Sequence, residues 1–156
     1  MPAKSGESGI KIIAKNRKAF HDYEILERME AGIVLQGTEV KSLRAGKCNL
    51  GDAYGDYRSG EVWLVNLHIS PYDQAHRDNH EPLRRRKLLL TKRELRKLKP
   101  KLDEKGLTLV ALKIYFKRGL AKVEMGLGRG KKTHDKRHAK AKRDVDMRIR
   151  REMGRG

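Results

Sequence analysis

Two pairs of histidines stand four residues apart, His76 with His80 and His134 with His138, with Asp78 and Asp135 inside them. On a helix such a pair shares one face and can bind zinc. Here His76 and His80 fall in a polar stretch between Pro71 and Pro82 that reads as a loop. His134 and His138 sit among lysines and arginines that repel a cation. Both pairs therefore read as solvent-exposed or phosphate-facing histidines. Asp52 and Asp56 could pair as catalytic carboxylates, but their Gly and Tyr neighbours suit turns at strand ends. Gly126-Leu127-Gly128-Arg129-Gly130 has the glycine content of a phosphate-cradling loop. It lacks the strand-loop-helix order and the Lys-Ser/Thr ending of a P-loop, and reads as a hinge. No set of nucleophile, base and metal ligand is concentrated anywhere, so neither an enzyme nor a cofactor is expected.

The chemistry on offer is positive charge. The chain carries 38 Lys and Arg against 20 Asp and Glu, a net of +18. Such a balance favours phosphate backbones through counterion release. Arg84, Arg85, Arg86 and Lys87 give four consecutive cations before Leu88, and Arg17, Lys18, Lys41, Arg44 and Lys92 add more. Together they predict a phosphate-contacting patch. Aromatics are 5% of the chain, and Trp63, Tyr115 and Phe116 are expected in the core. Few rings remain to stack unpaired bases. A folded RNA read through shape, backbone and 2′-hydroxyls fits better. No basic amphipathic helix with large apolar side chains and no lipidation signal is present, so a membrane partner is not expected. The longest apolar run, Leu107 to Leu112, spans six residues, against the roughly 20 that cross a bilayer. Cys48 is the only cysteine, which fits a reducing compartment. A cytoplasmic protein is expected.

Charge also divides the chain. From Arg129 to Gly156 there are 12 Lys or Arg and 4 Asp or Glu, a net of +8, with no apolar segment able to bury itself. Such a segment cannot offset its ordering entropy alone. Ala141, Val145, Ile149 and Met153 follow i, i+4 spacing, with Lys140, Arg143, Arg148 and Arg151 off that line. One narrow stripe does not hold a free helix, but it suffices where an anionic groove supplies the other contacts. The expected organisation is a flexible start over 1–9, a folded body over 10–129 and a basic tail over 130–156.

The body reads as short strands with few helices. Ile10 to Ala14 is a strand and Asn16 to His21 a basic turn. Tyr23 to Met29 and Ile33 to Gln36 are strands on either side of Ala31-Gly32. Thr38 to Ala45 is a short helix stopped by Gly46. Hairpins are expected at Ser59-Gly60 and Arg118-Gly119. Thr91 and Glu94 form a capping box that starts a helix with a Leu95, Leu98, Leu102 stripe, which Pro100 should kink or split. This order predicts a mainly β fold with short helices, an OB-like antiparallel barrel of about six strands. A small β-sandwich is the alternative.

Four segments resemble a known family in order along the chain. They are Lys11 to Ala19 (KIIAKNRKA), Glu30 to Arg44 (EAGIVLQGTEVKSLR), Arg86 to Leu90 (RKLLL) and Gly130 to Arg137 (GKKTHDKR). They look like the small protein B family, the bacterial SsrA-binding proteins of trans-translation. Thr38 departs from the bulky aromatic often found after Gln-Gly, and Pro100 interrupts a helix more continuous in other members. The resemblance implies binding to the tRNA-like domain of tmRNA and its delivery to ribosomes stalled with an empty A site. Elongation factor Tu would take part indirectly, and a monomer is expected. Carried over by motif, Asn16, Glu30 and Leu89 match positions important for tmRNA binding. Asp135, Lys136 and Arg137 match the tail segment needed for tagging, and His134 the histidine near the decoding centre. Lys131, Lys132, Lys140, Arg143 and Arg148 belong to a tail that enters the vacant mRNA channel and becomes helical there. From the residues alone, a permanent ribosomal protein and a metal-dependent nuclease remain the other classes.

Overall fold

The tight turns expected at Ser59-Gly60 and Arg118-Gly119 are both present in the computed structural model, which describes residues 9–73 and 79–131. In each, both residues take left-handed backbone, with φ of 51° and 80° in the first and 52° and 81° in the second. That is the turn whose twist matches paired strands. Around these turns the order is β1 (Ile10–Lys15), α1 (Arg17–Asp22), β2 (Tyr23–Ile33), α2 (Gly37–Arg44), β3 (Cys48–Asn49), β4 (Tyr54–Arg58) and β5 (Glu61–Val65). It continues with β6 (His68–Ile69), β7 (Arg86–Leu89), α3 (Lys92–Asp103), β8 (Leu107–Lys117) and β9 (Leu120–Gly130).

All pairings are antiparallel, and they close on themselves. The strands β4, β5, β7, β2, β9 and β8 form a ring, with β1 added to β8. The expected ring of about six strands is therefore present. Closure depends on the length of β8. One edge pairs with β9 throughout, while the other is shared between β4 at Leu109 and Val110 and β1 from Lys113 to Lys117. Register shifts in β1, β2 and β8 bend these strands enough to curl. The interior is filled by Val62, Leu64, Leu109, Ile114, Val123 and Met125. Leu43 of α2 and Leu98 of α3 join the same cluster.

Several expectations are corrected. Asn16 to His21 is a helix rather than a turn, because Asn16 caps it and Ala19 is buried beneath it. The strand β2 runs unbroken through Ala31-Gly32. Gly32 is there because a Cβ would lie 3.2 Å from Cβ of Leu89 on the neighbouring strand. The helix α3 passes through Pro100 as one element. Proline removes a single amide donor near the helix end, and the Thr91–Glu94 capping box at the start is intact. Trp63 is half-buried rather than core, since β5 alternates and turns Val62 and Leu64 inward. Tyr115 and Phe116 are buried as expected. Among the described residues, no helix is long and apolar enough to cross a membrane.

The stretch Gly126 to Gly130 is strand rather than hinge. Its glycines allow close packing: a Cβ on Gly126 would lie 2.8 Å from Cδ1 of Leu112, a buried side chain with nowhere to move. Gly126→Ala should therefore destabilise the body by about 1–3 kcal/mol in urea denaturation. A hinge glycine would behave oppositely, because alanine restricts the unfolded chain.

Candidate nucleic-acid interface

The run Arg84 to Lys87 is not one patch. Extended backbone turns alternate side chains to opposite faces. Arg86 points inward with Leu88 and is completely buried. Its Nε donates to Oε2 of Glu39 at 2.5 Å, its Nη1 to the Leu67 carbonyl at 2.6 Å and its Nη2 to the Pro82 carbonyl at 3.2 Å. Arg84 reaches the same carboxylate, with Nη2 2.6 Å from Oε1. Arg86 is thus corrected from phosphate contact to core residue, and Arg84 is largely committed as well. Outward, Arg85 meets Asp56 at 3.3 Å and Lys87 meets Glu61 at 2.8 Å. These exposed pairs are weak, and phosphate can displace the carboxylates.

Glu39 was not anticipated from the sequence. It sits in the first turn of α2, fully buried, and also accepts the Gln36 backbone N–H at 2.7 Å. Burial pushes its carboxyl up, but hydrogen bonds from Arg84, Gln36 and Arg86 outweigh this and hold it below the ordinary range. The signal available in the sequence was the two-residue alternation that places Arg86 beside Leu88, which demands a buried partner.

Asn16 is also an internal residue, 4% exposed. Its Oδ1 accepts the Ala19 N–H at 3.1 Å. Its Nδ2 donates to the carbonyls of Leu50 at 3.1 Å and Ala111 at 2.8 Å. Asn16 therefore fixes α1 against β8 and presents its neighbours Arg17 and Lys18. Arg17 is exposed, and Lys18 is tied to Asp52 at 2.8 Å. Beside them an open cleft of about 310 Å³ is lined by Lys18, Asp22, Tyr23, Asp52 and Tyr54. Two tyrosines with flanking polar groups suit a base or ribose.

On α2, Lys41 and Arg44 face outward as expected. Lys41 Nζ lies 5.4 Å above the Tyr72 ring and the Arg44 guanidinium 5.8 Å from Phe116. Ring contacts orient these cations without neutralising them. Leu89 is 53% exposed at the end of β7, opposite Gly32. Val34, 44% exposed, hydrogen-bonds to Lys87 of the same strand. Glu30 faces outward on β2. The Tyr115 hydroxyl donates to its Oε2 at 2.5 Å, and Lys117 Nζ lies 3.4 Å away. The tyrosine bond is the main reason its carboxyl titrates below the usual range. Glu30 is an ionised acceptor set among Lys117 and Lys122, so it can take a base amino group or 2′-hydroxyl without repelling the backbone.

Lys131 is the last described residue of the tail set. Its N–H donates to the Asp22 carbonyl at 2.9 Å and its Nζ to the Phe20 carbonyl at 3.1 Å. Lys132, His134, Asp135, Lys136, Arg137, Lys140, Arg143 and Arg148 lie outside the described residues, as do His76 and the His134–His138 pair. His80 is corrected from exposed to buried. Its Nε2 faces the Ile69 carbonyl, which only accepts, so Nδ1 is left to accept from the Thr38 hydroxyl. Asp52 and Asp56 are each ion-paired, Asp52 with Lys18 and Asp56 with Arg58 and Arg85. Among the described residues, no group of three or more His, Cys, Asp or Glu is arranged to hold a metal ion.

Removing Arg86 takes one of two arginine partners from the buried Glu39 carboxylate and empties a fully buried side chain from the core. Arg86→Ala should cost about 3–5 kcal/mol in denaturant titration, whereas Arg85→Ala should stay within about 0.5 kcal/mol. Glu39 has a folded-state pKa below its unfolded value. Its contribution is therefore present above the ordinary carboxylate range and lost as pH falls through the depressed pKa. Wild-type stability should fall more steeply with acid than that of an Arg86→Met, Glu39→Gln double variant, measured at matched ionic strength.

With this geometry in place, comparison with known proteins is informative. The family model described as SmpB protein matches residues 13–155. An SsrA-binding protein of Carboxydothermus hydrogenoformans is 60% identical over 139 residues, covering 89% of this chain and 93% of the relative. One from Bacillus cytotoxicus is 57% identical over 149 residues, covering 93% and 94%. A solved structure described as "tmRNA-SmpB: a journey to the center of the bacterial ribosome" contains a chain 58% identical to this one. It aligns with a TM-score of 0.66 over 77% of this chain and 85% of that one. The chain, matched by the family model from its first strand into the tail and 60% identical to a relative over most of its length, belongs to the SmpB family.

Proposed function

We propose that the protein binds the tRNA-like domain of tmRNA and carries it to stalled ribosomes, where the nascent peptide is tagged for degradation. Membership of the family, with relatives that bind SsrA RNA, carries this reading. The surface supports it chemically. Arg17, Lys41 and Arg44 have no carboxylate partner among the described residues. Lys18, Arg85 and Lys87 have exposed partners that phosphate can replace. Glu30 and Leu89 supply the two contacts that charge cannot, an oriented acceptor and an apolar surface for a base or ribose.

The protein acts by binding and positioning, as a cytoplasmic monomer, with elongation factor Tu engaged through the RNA. The tail, led by Lys131 and Lys132, enters the mRNA channel. It tests for absent message there, with His134 at the decoding centre and Asp135, Lys136 and Arg137 required for tagging. Lys140, Arg143 and Arg148 meet the channel walls once the tail turns helical. Support comes from the tail's net charge of +8 and its single apolar stripe, which needs an anionic surrounding to form a helix.

The body spanning residues 1–129 should bind tmRNA about as tightly as the whole chain in a filter assay, with affinity falling steeply as salt rises. Glu30→Ala should weaken binding although it removes negative charge. Tyr115→Phe, which frees the carboxylate to rotate, should weaken it by about fivefold. Tighter binding by Glu30→Ala would reduce its role to bulk charge. In the full chain, Asp135→Arg with Lys136→Glu should leave tmRNA affinity unchanged and abolish tagging in a reconstituted system. Normal tagging by that variant would remove the tail from the mechanism.

A further inference from the structure

Among the described residues β1 is the one strand of the seven-stranded sheet with a single neighbour, β8. Its backbone groups divide by parity. The Arg118 N–H donates to the Gly9 carbonyl at 2.9 Å, so Gly9 turns toward β8. Alternate residues of an antiparallel strand bond to opposite sides. Lys11 therefore faces β8 as well, and Ile10 and Ile12 turn their N–H and C=O groups to the outer edge. The strand is anchored from its other half. Ile13 and Ala14 pack against the core, and the Asn16 N–H donates to the Leu112 carbonyl at 2.7 Å.

The side chains at this edge are apolar where solvent favours polar ones. Ile10 and Ile12 are each 45% exposed and Leu120 is 64% exposed. Ile10 stands opposite Lys117, and Lys117 opposite Leu120. Directly opposed residues share a face of the sheet, and so do residues two apart on one strand. The three apolar side chains are therefore on the same side. An edge with outward amides and exposed isoleucines is a template for another strand, a liability that sheets usually blunt.

Charge decides which strand fits. Lys11, Lys15 and Arg118 flank this edge, all exposed, and among the described residues none has a carboxylate within ion-pair distance. A second copy of the chain brings the same cations against their counterparts, at a net charge of +18 per copy. RNA answers the cations but leaves the isoleucines uncovered. An acidic strand with apolar residues at every second position answers both. The geometry points to β1 as a docking edge for an extended acidic segment of a protein partner, which adds to the sheet as a further strand. Main-chain bonds to Ile10 and Ile12 hold the segment, and the Ile10, Ile12 and Leu120 side chains select its alternating pattern.

The probe is a short acetylated peptide of alternating Glu and Val carrying a fluorophore, titrated with the full chain near physiological salt. A control peptide has every amide N-methylated, which keeps charge and side chains and removes the donors. The expected result is saturable binding of the probe, with the control weaker by about tenfold or more. Amide exchange should slow at Ile10 and Ile12 in the complex. Ile12→Pro removes one outward N–H, a change that an edge strand tolerates. It should reduce probe binding to the level of the control and leave tmRNA affinity unchanged. Ile10→Pro, at the first position of the strand, should act alike and serves if Ile12→Pro misfolds. Equal binding of probe and control would overturn the proposal, since charge alone would then explain it. Unslowed exchange at both isoleucines would do the same. Weaker tmRNA binding by an Ile10→Pro variant with wild-type unfolding temperature would give the edge to RNA instead. A wild-type dimer that this variant dissociates would give it to a second copy.

Discussion

One buried carboxylate organises the half of the molecule that carries β7. Glu39 accepts from two arginines and from the Gln36 backbone, and Arg86 spends its remaining donors on the carbonyls of Leu67 and Pro82. A charge inside a protein is costly unless all of its partners are present. The register of β7, the start of α2 and the loop ending at Pro82 are therefore coupled. If any one of them shifts, a charged group is left without its partners in the interior. This coupling is also what fixes where Leu89 emerges, since it lies three residues after Arg86 on the same strand.

Asn16 does comparable work without charge. A six-residue helix is too short to persist by its own propensity, and α1 exists because one amide caps it and ties it to Leu50 and Ala111. The result is a rigid mount for Arg17 and Lys18 and for the anchor of Lys131 at the helix's other end. An amide on an RNA-binding motif need not touch RNA. Here both amide donors are used within the protein, and the carbonyl oxygen accepts from the Ala19 N–H.

Ion pairing then sorts a uniformly basic sequence into surfaces with different tasks. Where strands place Asp or Glu opposite Lys or Arg, as with Lys87 and Glu61, charge is partly neutralised. Where helices face outward, on α1, α2 and α3, most cations stay free.

Much of this architecture was legible in the residues. Turn pairs marked both hairpins, Gly46 marked the end of α2 and Thr91 with Glu94 the start of α3. All are local signals, set by backbone sterics and hydrogen bonds between near neighbours. The net charge and its concentration in the tail were equally plain, and four ordered motifs pointed to the family. What the residues alone could not decide was anything settled by a partner distant in sequence. Ala31-Gly32 and Gly126 to Gly130 read as breaks because the leucines that exclude a Cβ, Leu89 and Leu112, come from other strands. The Arg84 to Lys87 run read as one patch because Glu39, 47 residues before Arg86, is invisible in a local window. Chain-local chemistry determined which elements form and that the partner is a polyanion. Tertiary structure decided which charges are buried, which are paired and which remain free to meet that partner, because desolvation and ion pairing depend on distances that only the closed sheet brings into range.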